Sequence, residues 1–107
     1  MYTEFTRRVI DTIKAIPPGM VLTYGAVATL AGSPRGARQV TRVLHSLSEK
    51  EGLPWHRVIS AGGKISLPGQ EGREEQATML RAEGVAVSDD YLVDLATFQW
   101  RDAAIGE

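Results

Sequence analysis

The segment Pro54-Trp55-His56-Arg57 brings together an indole, an imidazole and a guanidinium group, which could form part of a binding pocket. An indole adds a large apolar π-surface and one N–H donor, but it is not a useful nucleophile. An imidazole can activate a thiol, yet the chain contains no cysteine. These residues therefore offer no nucleophile for covalent catalysis, and Trp55 without its neighbours would be interpreted as a residue that fills the core.

A second candidate surface carries Arg35, Arg38 and Arg42, which recur at i, i+3 and i+7. On a helix this spacing places all three near one face, close to the helix start. Free amides and the positive end of the helix dipole favour phosphate there, and Gly36 and Ala37 are small enough to let a ligand backbone approach. The pattern predicts a phosphate-binding face, and a merely solvated arginine face is the alternative.

The charge of the chain is unevenly distributed, although its net value is only −1. Residues 33–64 hold six basic and two acidic side chains, a net charge of +4, whereas residues 65–107 hold three basic and nine acidic ones, a net charge of −6. A basic middle next to an acidic end is typical of a protein that presents one face to a polyanion. Solvated surface charge is again the alternative.

Other chemistries find little support in the residue types. The histidines, His45 and His56, cannot build a zinc site unaided, and no cofactor is implied. Charged side chains interrupt the first fifteen residues, and no apolar run is long enough to span a membrane. We expect a cytoplasmic protein without a metal.

The first elements can be predicted from periodicity. Apolar residues over 5–13 recur at helical spacing and predict an amphipathic helix with Thr3 as N-cap, ending at Ala15. The prolines of Ile16-Pro17-Pro18-Gly19 must break it. Val21-Leu22-Thr23 follows as a short extended stretch.

Two further helices are predicted close together. Residues 24–31 form the first, with Thr23 as N-cap and Gly32 as its end. Ser33 as N-cap and Pro34 at the first helical position then predict an immediate restart. Two helices joined by a glycine-containing turn form a helix-turn-helix.

The second half of the chain predicts a small β element and one more helix. A polar loop over 48–52 precedes extended stretches at 53–59 and 64–66, and Gly62-Gly63 between them is typical of a hairpin. A helix is expected over 71–83. A helix-turn-helix followed by a hairpin indicates a mainly helical winged-helix domain over the whole chain, and a chance pairing of helices is the alternative.

The C-terminal stretch has the weakest pattern. Residues 85–100 alternate around a turn at Asp89-Asp90. We expect them to pack back onto the domain through four apolar side chains, namely Leu92, Leu95, Phe98 and Trp100.

The segment at 54–57 resembles the Pro-Cys-His-Arg signature of O6-alkylguanine-DNA alkyltransferases, with tryptophan in place of cysteine. The surrounding motifs resemble the C-terminal domain of that family in order and spacing over roughly residues 3–87. They comprise Pro18-Gly19, Val21-Leu22-Thr23-Tyr24, Leu30-Ala31-Gly32-Ser33-Pro34, Ala37-Arg38, Val58-Ile59 with Gly62, and Leu80 to Gly84. The tryptophan version is similar to the alkyltransferase-like proteins, which lack the acceptor cysteine.

The resemblance implies a winged helix-turn-helix whose recognition helix enters the minor groove of double-stranded DNA containing O6-alkylguanine. An arginine at the position of Arg38 would replace the extruded base, and a tyrosine at the position of Tyr24 would help to rotate the phosphate. The residues expected to bind DNA are Tyr24, Ser33, Arg35, Arg38 and Arg42.

The same resemblance implies a lesion pocket, whose expected lining comprises Tyr24, Pro54, Trp55, His56, Ile65, Ser66 and Pro68. In the enzymes a histidine and a glutamate activate the thiol; here His56 and Glu83 would serve as structural support. Some relatives place an arginine where this chain has Pro68, so its lesion preference is expected to differ.

The function implied is non-enzymatic recognition of DNA damage that flags the lesion for nucleotide excision repair. A repair protein is then an expected partner, with the acidic C-terminal third as its contact surface. A monomer is expected because no heptad or exposed apolar dimer face follows. The rival interpretations are a winged-helix transcription regulator, insensitive to alkylation, and an alkyltransferase with a different acceptor.

Overall fold

The computed structural model describes residues 1–101; residues 102–107 of the predicted single domain lie outside the described residues. The elements are α1 (Glu4–Ala15), β1 (Leu22–Thr23), α2 (Tyr24–Leu30), α3 (Ala37–Glu51), a 3₁₀ turn (Trp55–Arg57), β2 (Val58–Ile59), a second 3₁₀ turn (Ala61–Gly63), α4 (Gln70–Ala82) and α5 (Leu95–Phe98). The prediction of a mainly helical chain with a small β component is confirmed.

Side-chain caps begin the first two helices as expected. The hydroxyl oxygen of Thr3 accepts a hydrogen bond from the backbone N–H of Thr6 at 3.1 Å. Thr23 caps α2 in the same way, accepting from the N–H of Ala26 at 3.1 Å. Each such cap stabilises its helix by about 1 kcal/mol.

The start of α3 differs from the prediction, because Ser33 is not its N-cap. The carbonyl of Ser33 instead accepts from the N–H of Gly36 at 2.8 Å, which closes a turn, and the helix begins at Ala37. Gly36 is buried, and a Cβ added there would lie 2.6 Å from Cζ of Phe5 in α1. The missing side chain therefore allows α3 to pack against α1 and does not serve the approach of a ligand.

Replacing Gly36 by alanine is expected to destabilise the fold by about 1–3 kcal/mol, because the added methyl group must displace the Phe5 ring or the start of α3. Chemical denaturation would measure the loss. Gly25→Ala in α2 is the matched control, because a Cβ there meets nothing within 4 Å. Equal unfolding midpoints for the two variants would contradict this account of Gly36.

The predicted loop over 48–52 is wrong, because α3 continues to Glu51. Gly52 then adopts a left-handed conformation with φ 65°, and the N–H of Leu53 donates to the carbonyl of Ser48 at 2.9 Å. Glutamate and lysine are strong helix formers, so a polar run here extended the helix. As a result α3 is 15 residues long.

The sheet is parallel and joins distant parts of the chain. β1 pairs with β2 in the register Leu22 with Val58 and Thr23 with Ile59. This pairing seats the 3₁₀ turn at Trp55–Arg57 directly before a strand that is fixed to the helix-turn-helix.

The predicted hairpin across Gly62-Gly63 is reduced to one antiparallel bridge between Ser60 and Lys64. The reason lies at Gly63, which is buried against the C-terminal segment: a Cβ added there would collide with the carbonyl oxygen of Val93. The N–H of Val93 donates to the Gly63 carbonyl at 2.8 Å. The turn therefore docks onto residues 91–93 and leaves little pairing between its own two arms.

The sheet separates two apolar clusters. Adjacent residues on each strand face opposite sides, so that Leu22 and Val58 join the cluster formed mainly by α1, α2 and α3. Val21 and Ile59 join the cluster formed by α4 and the C-terminal segment. Both sides of this short sheet are thus fixed by packing.

The C-terminal segment packs back onto the domain, with one exception to the predicted contacts. Leu95 and Phe98 pack against the second cluster and Trp100 against the first. Leu92 is 46% exposed, and Val93 is buried in its place. Val93 thus takes the buried place predicted for Leu92, whereas the other three side chains pack onto the domain as predicted.

Candidate nucleic-acid interface and cavity

A cavity of about 420 Å³ opens between α3, the 3₁₀ turn at 55–57 and the loop that precedes α4. Its surface is predominantly apolar with a few polar groups, as in sites that bind small organic groups. The lining residues are Tyr24, Thr41, Leu44, His45, Ser48, Trp55, Val58, Leu67, Pro68 and Gln76.

Three of the predicted pocket residues line this cavity, namely Tyr24, Trp55 and Pro68. The other four lie outside its lining, namely Pro54, His56, Ile65 and Ser66. The lining thus contains one of the predicted residues from each of three segments: the start of α2, the 3₁₀ turn and the loop before α4.

Burial explains why the chain reaches the cavity only after Ser66. Ile65 is 1% exposed and belongs to the second core cluster, whereas Ser66 is exposed and hydrogen-bonded to Ser60. Leu67 and Pro68 are the next residues, and both line the cavity.

The sequence analysis missed the wall contributed by α3. Thr41, Leu44, His45 and Ser48 are spaced i, i+3, i+4 and i+7, which places them along one side of the helix. That spacing is visible in the sequence, but the face mixes polar and apolar residues, so it predicts neither a buried face nor a basic one.

Trp55 is half-buried within its 3₁₀ turn. Its ring lies edge-on to His56, with ring centroids 6.2 Å apart and planes at 86°. Among residues 1–101 the indole N–H has no hydrogen-bond acceptor, and it is not enclosed. Trp55 therefore offers the cavity an aromatic surface, and its donor stays available to a ligand.

Tyr24 opens α2 and is half-buried. Burial raises the pKa of its hydroxyl above the usual value, so the group remains a neutral hydrogen-bond donor near neutral pH. As a residue of the cavity lining, it can bond a phosphate or a base edge at the cavity mouth.

The three arginines of the predicted phosphate-binding face, Arg35, Arg38 and Arg42, are all exposed. Within the part of the chain that the structure describes, none forms an ion pair with a carboxylate. Arg38 lies in the first turn of α3, which has no side-chain cap. The backbone amides at the start of α3 and the helix dipole add to the positive potential of this face.

Glu83 is the centre of a hydrogen-bonded cluster beneath the 3₁₀ turn. Its carboxylate accepts from Nε2 of His56 at 2.9 Å and from Nε and Nη2 of Arg57 at 3.0 and 2.6 Å. It also accepts from the N–H of Gly19 at 3.3 Å, while Arg57 donates to the carbonyl of Ile16 at 2.9 Å. The cluster ties the end of α4 to the turn and to the loop after α1.

The same contacts set the ionisation of this carboxyl group. The hydrogen bonds from Arg57, helped by those from His56 and Gly19, lower the pKa of Glu83 to about 2 although partial burial opposes them. An ionised carboxylate can only accept, so Nε2 of His56 carries the proton between them. Nδ1 of His56 is buried and has no partner within residues 1–101. With no thiol to activate, this arrangement braces the turn.

Gln76 is a site residue that the sequence analysis missed. It is 3% exposed, and its amide nitrogen donates to the carbonyls of both His56 and Val58 at 3.0 Å. One side chain thereby fixes the backbone on either side of Arg57 to α4. A buried glutamine gives no such signal in the sequence, because its partners are backbone groups of a distant segment.

Residues 1–101 also bear on two other kinds of site. No group of three or more His, Asp or Glu side chains could hold a metal ion there. Over the same range, no helix combines the length and the apolar content needed to cross a membrane.

Comparison with known proteins places this geometry in a family. The family described as 6-O-methylguanine DNA methyltransferase, DNA binding domain, matches residues 4–85. A DNA base-flipping protein from Escherichia coli (strain K12) is 50% identical over 97 residues, spanning 91% of this chain and 74% of that protein. Alkyltransferase-like protein 1 from Schizosaccharomyces pombe is 36% identical over 103 residues, spanning 92% of this chain and 95% of that protein.

A solved structure extends the likeness to the fold. S. pombe Atl1 in complex with damaged DNA containing O6-carboxymethylguanine matches with a TM-score of 0.84 at 35% identity, covering 95% of this chain and 100% of that one. The chain therefore belongs to the family of 6-O-methylguanine DNA methyltransferase DNA-binding domains, as an alkyltransferase-like member that contains no cysteine.

Proposed function

We propose that this protein recognises O6-alkylguanine in duplex DNA, flips the damaged base into the cavity beside Trp55 and holds it without alkyl transfer. The observation that carries the proposal is that α3 bears two of the exposed arginines, Arg38 and Arg42, together with one wall of the cavity, while Arg35 lies in the turn just before the helix. The relatives support it, since one is named a DNA base-flipping protein and another was solved with damaged DNA.

In this proposal α3 docks in the minor groove and Arg38 occupies the gap left by the flipped base. A planar guanidinium can stack between base pairs, and flipping costs only a few kcal/mol, less for a base whose pairing is already impaired. Arg35, Arg42 and Ser33 contact phosphates near the start of the helix. Tyr24 hydrogen-bonds the phosphate of the rotated nucleotide.

The flipped guanine lies against the aromatic rings of Tyr24 and Trp55. Its alkyl group meets the apolar lining supplied by Leu44, Leu67 and Pro68. Pro68 gives no charge at this point, so recognition of the substituent depends on shape and apolar contact.

The proposal assigns no covalent step to any residue. Alkyl transfer in the related enzymes needs a cysteine thiolate, and this chain has no cysteine. His56 and Glu83 then act as structural support for the turn that carries Trp55.

A partner follows from the same proposal. A sensor that does not repair must mark the lesion, and we infer that it does so for a nucleotide excision repair protein in the cytoplasm or nucleoid. The exposed carboxylates of α4 and the segment after it offer an acidic contact surface, comprising Glu71, Glu74, Glu75, Asp89 and Asp90. These groups would favour a basic face on the partner.

Binding to two duplexes of one sequence, with guanine or O6-methylguanine at the same position, tests the function. We expect the alkylated duplex to bind at least about tenfold more tightly, as an impaired base pair lowers the cost of flipping. Equal affinity for both duplexes would exclude the proposal. A transcription regulator would instead respond to a change of the flanking sequence and not to alkylation.

A further inference from the structure

The loop Leu67–Gly69 forms one wall of the cavity and is bonded at both ends to the first turns of α4. Nη1 of Arg73 donates to the carbonyl of Leu67 at 2.9 Å, and the backbone N–H of Arg73 donates to the carbonyl of Gly69 at 3.3 Å. The helix also lies close to the loop at Gly72, where an added Cβ would be 3.7 Å from the Leu67 side chain. The position of the wall thus depends on α4.

Arg73 is itself held in place from its other side. Its guanidinium lies over the ring of Tyr91, 5.7 Å from the centroid, and the Tyr91 hydroxyl donates to Glu74 at 2.6 Å. The carbonyl of Tyr91 accepts from the N–H of Ile65 at 3.0 Å. Both ends of Tyr91 are therefore bonded: its hydroxyl to Glu74 of α4 and its backbone carbonyl to Ile65, in the segment that leads into the loop.

The backbone of Tyr91 is unusual as well. With φ 62° it is the one residue other than glycine in residues 1–101 that adopts a positive φ. Such a conformation is costly for a bulky residue and persists where the surroundings enforce it. Several contacts thus fix the position of the Tyr91 ring on which the guanidinium of Arg73 lies.

We propose that Arg73 is a positioning residue that sets the width of the cavity, and hence the size of the O6 substituent that the protein accepts. The inference rests on the proposed function. Leu67 and Pro68 line the cavity, and within residues 1–101 the hydrogen bonds accepted by Leu67 and Gly69 both come from Arg73, so its guanidinium fixes the wall. Without it the wall can move outwards and admit a larger group.

The helix offers a matched control in Arg81. This arginine also donates to a backbone carbonyl, that of Val87, at 2.8 Å, but neither residue lines the cavity. Arg81 also pairs with Glu74 at 3.7 Å, so its removal takes at least as many contacts from α4 as the removal of Arg73. A shift in lesion preference confined to the Arg73 variant therefore reports the cavity wall.

The test compares the affinities for duplexes carrying O6-benzylguanine and O6-methylguanine. Arg73→Met is expected to shift the ratio of the two affinities about tenfold in favour of the benzyl lesion. Arg73→Lys should return the ratio part of the way to the wild-type value, and Arg81→Met should leave the ratio unchanged. Unfolding midpoints establish that each variant is folded. A ratio for Arg73→Met equal to that of the wild type, or an equal shift in Arg81→Met, would overturn the proposal.

A second readout separates this inference from the proposed function. The backbone N–H of residue 73 donates to the Gly69 carbonyl at 3.3 Å and so reports whether the loop stays on α4. Its hydrogen exchange in the free protein, corrected for the intrinsic rate of the new residue, should become faster in Arg73→Met and remain unchanged in Arg81→Met. Unchanged exchange in Arg73→Met would overturn the positioning role. Failure of the wild-type protein to distinguish O6-methylguanine from guanine would instead overturn the proposed function.

Discussion

Arg38→Ala is expected to weaken binding to a duplex containing O6-methylguanine by about 100-fold, because the guanidinium that fills the vacated stack is lost. Binding to a single strand with the same lesion should fall only severalfold, since there is no stack to refill. Fluorescence titrations with the two substrates, under one salt condition, give the ratio. The side chain is exposed at the start of α3, so this change spares the fold.

Arg42→Ala is the matched control, an exposed arginine one turn further along the same helix. If Arg42 contacts a phosphate, its loss should weaken binding to the duplex and to the single strand to a similar extent and should reduce the salt dependence of binding. If Arg38→Ala also weakened both substrates equally, Arg38 would be another phosphate contact and the stacking role would be wrong.

Glu83→Gln is expected to lower the free energy of unfolding at neutral pH by about 3 kcal/mol. The folded-state pKa of about 2 lies below the ordinary value of 4.5, so ionised Glu83 stabilises the folded state. The substitution leaves Arg57 without its carboxylate partner in a largely buried position, with only 14% of its side chain exposed. Urea denaturation at pH 7 measures the loss.

The pH dependence gives the same quantity independently. Stability from Glu83 should be fully present above about pH 4.5 and should disappear as the pH falls towards 2, where the carboxylate becomes protonated in the folded protein. In Glu83→Gln, the part of the acid-induced loss of stability that comes from Glu83 should be absent. Glu75→Gln, an exposed carboxylate on α4, should retain it. An identical acid profile for the wild type and Glu83→Gln would show that the cluster contributes nothing.

Local features of the fold were predictable because their causes are local. Thr3 and Thr23 each cap a helix by bonding an N–H three residues further along the chain. Gly32 follows the end of α2 with a positive φ, which glycine adopts readily. The pairing of β1 with β2 was not predictable, since Leu22 and Val58 meet only after the intervening helices have packed. Gly62-Gly63 suggested a hairpin, but contacts with the C-terminal segment override that local preference.

The candidate site shows the same division. Trp55 and Tyr24 could be found because the segments that carry them resemble a known family. Gln76 could not, because its partners are backbone carbonyls more than fifteen residues away, brought close by tertiary packing. For the same reason the sequence named Arg57 but not its bond to Glu83. Ser48 was missed because the helix was expected to end before it, and His45 because it lies on a face of α3 that mixes polar and apolar residues.

The uninterrupted course of α3 from Ala37 to Glu51 has a geometric consequence. A helix rises by about 1.5 Å per residue, so Arg38 and Ser48 are separated by roughly 15 Å along an axis that cannot shorten or bend without breaking hydrogen bonds. In the proposed function, α3 therefore holds a fixed distance between Arg38, which enters the gap left by the base, and the cavity that receives the base. Because the helix cannot adjust, the DNA must supply the deformation that brings the base into the cavity.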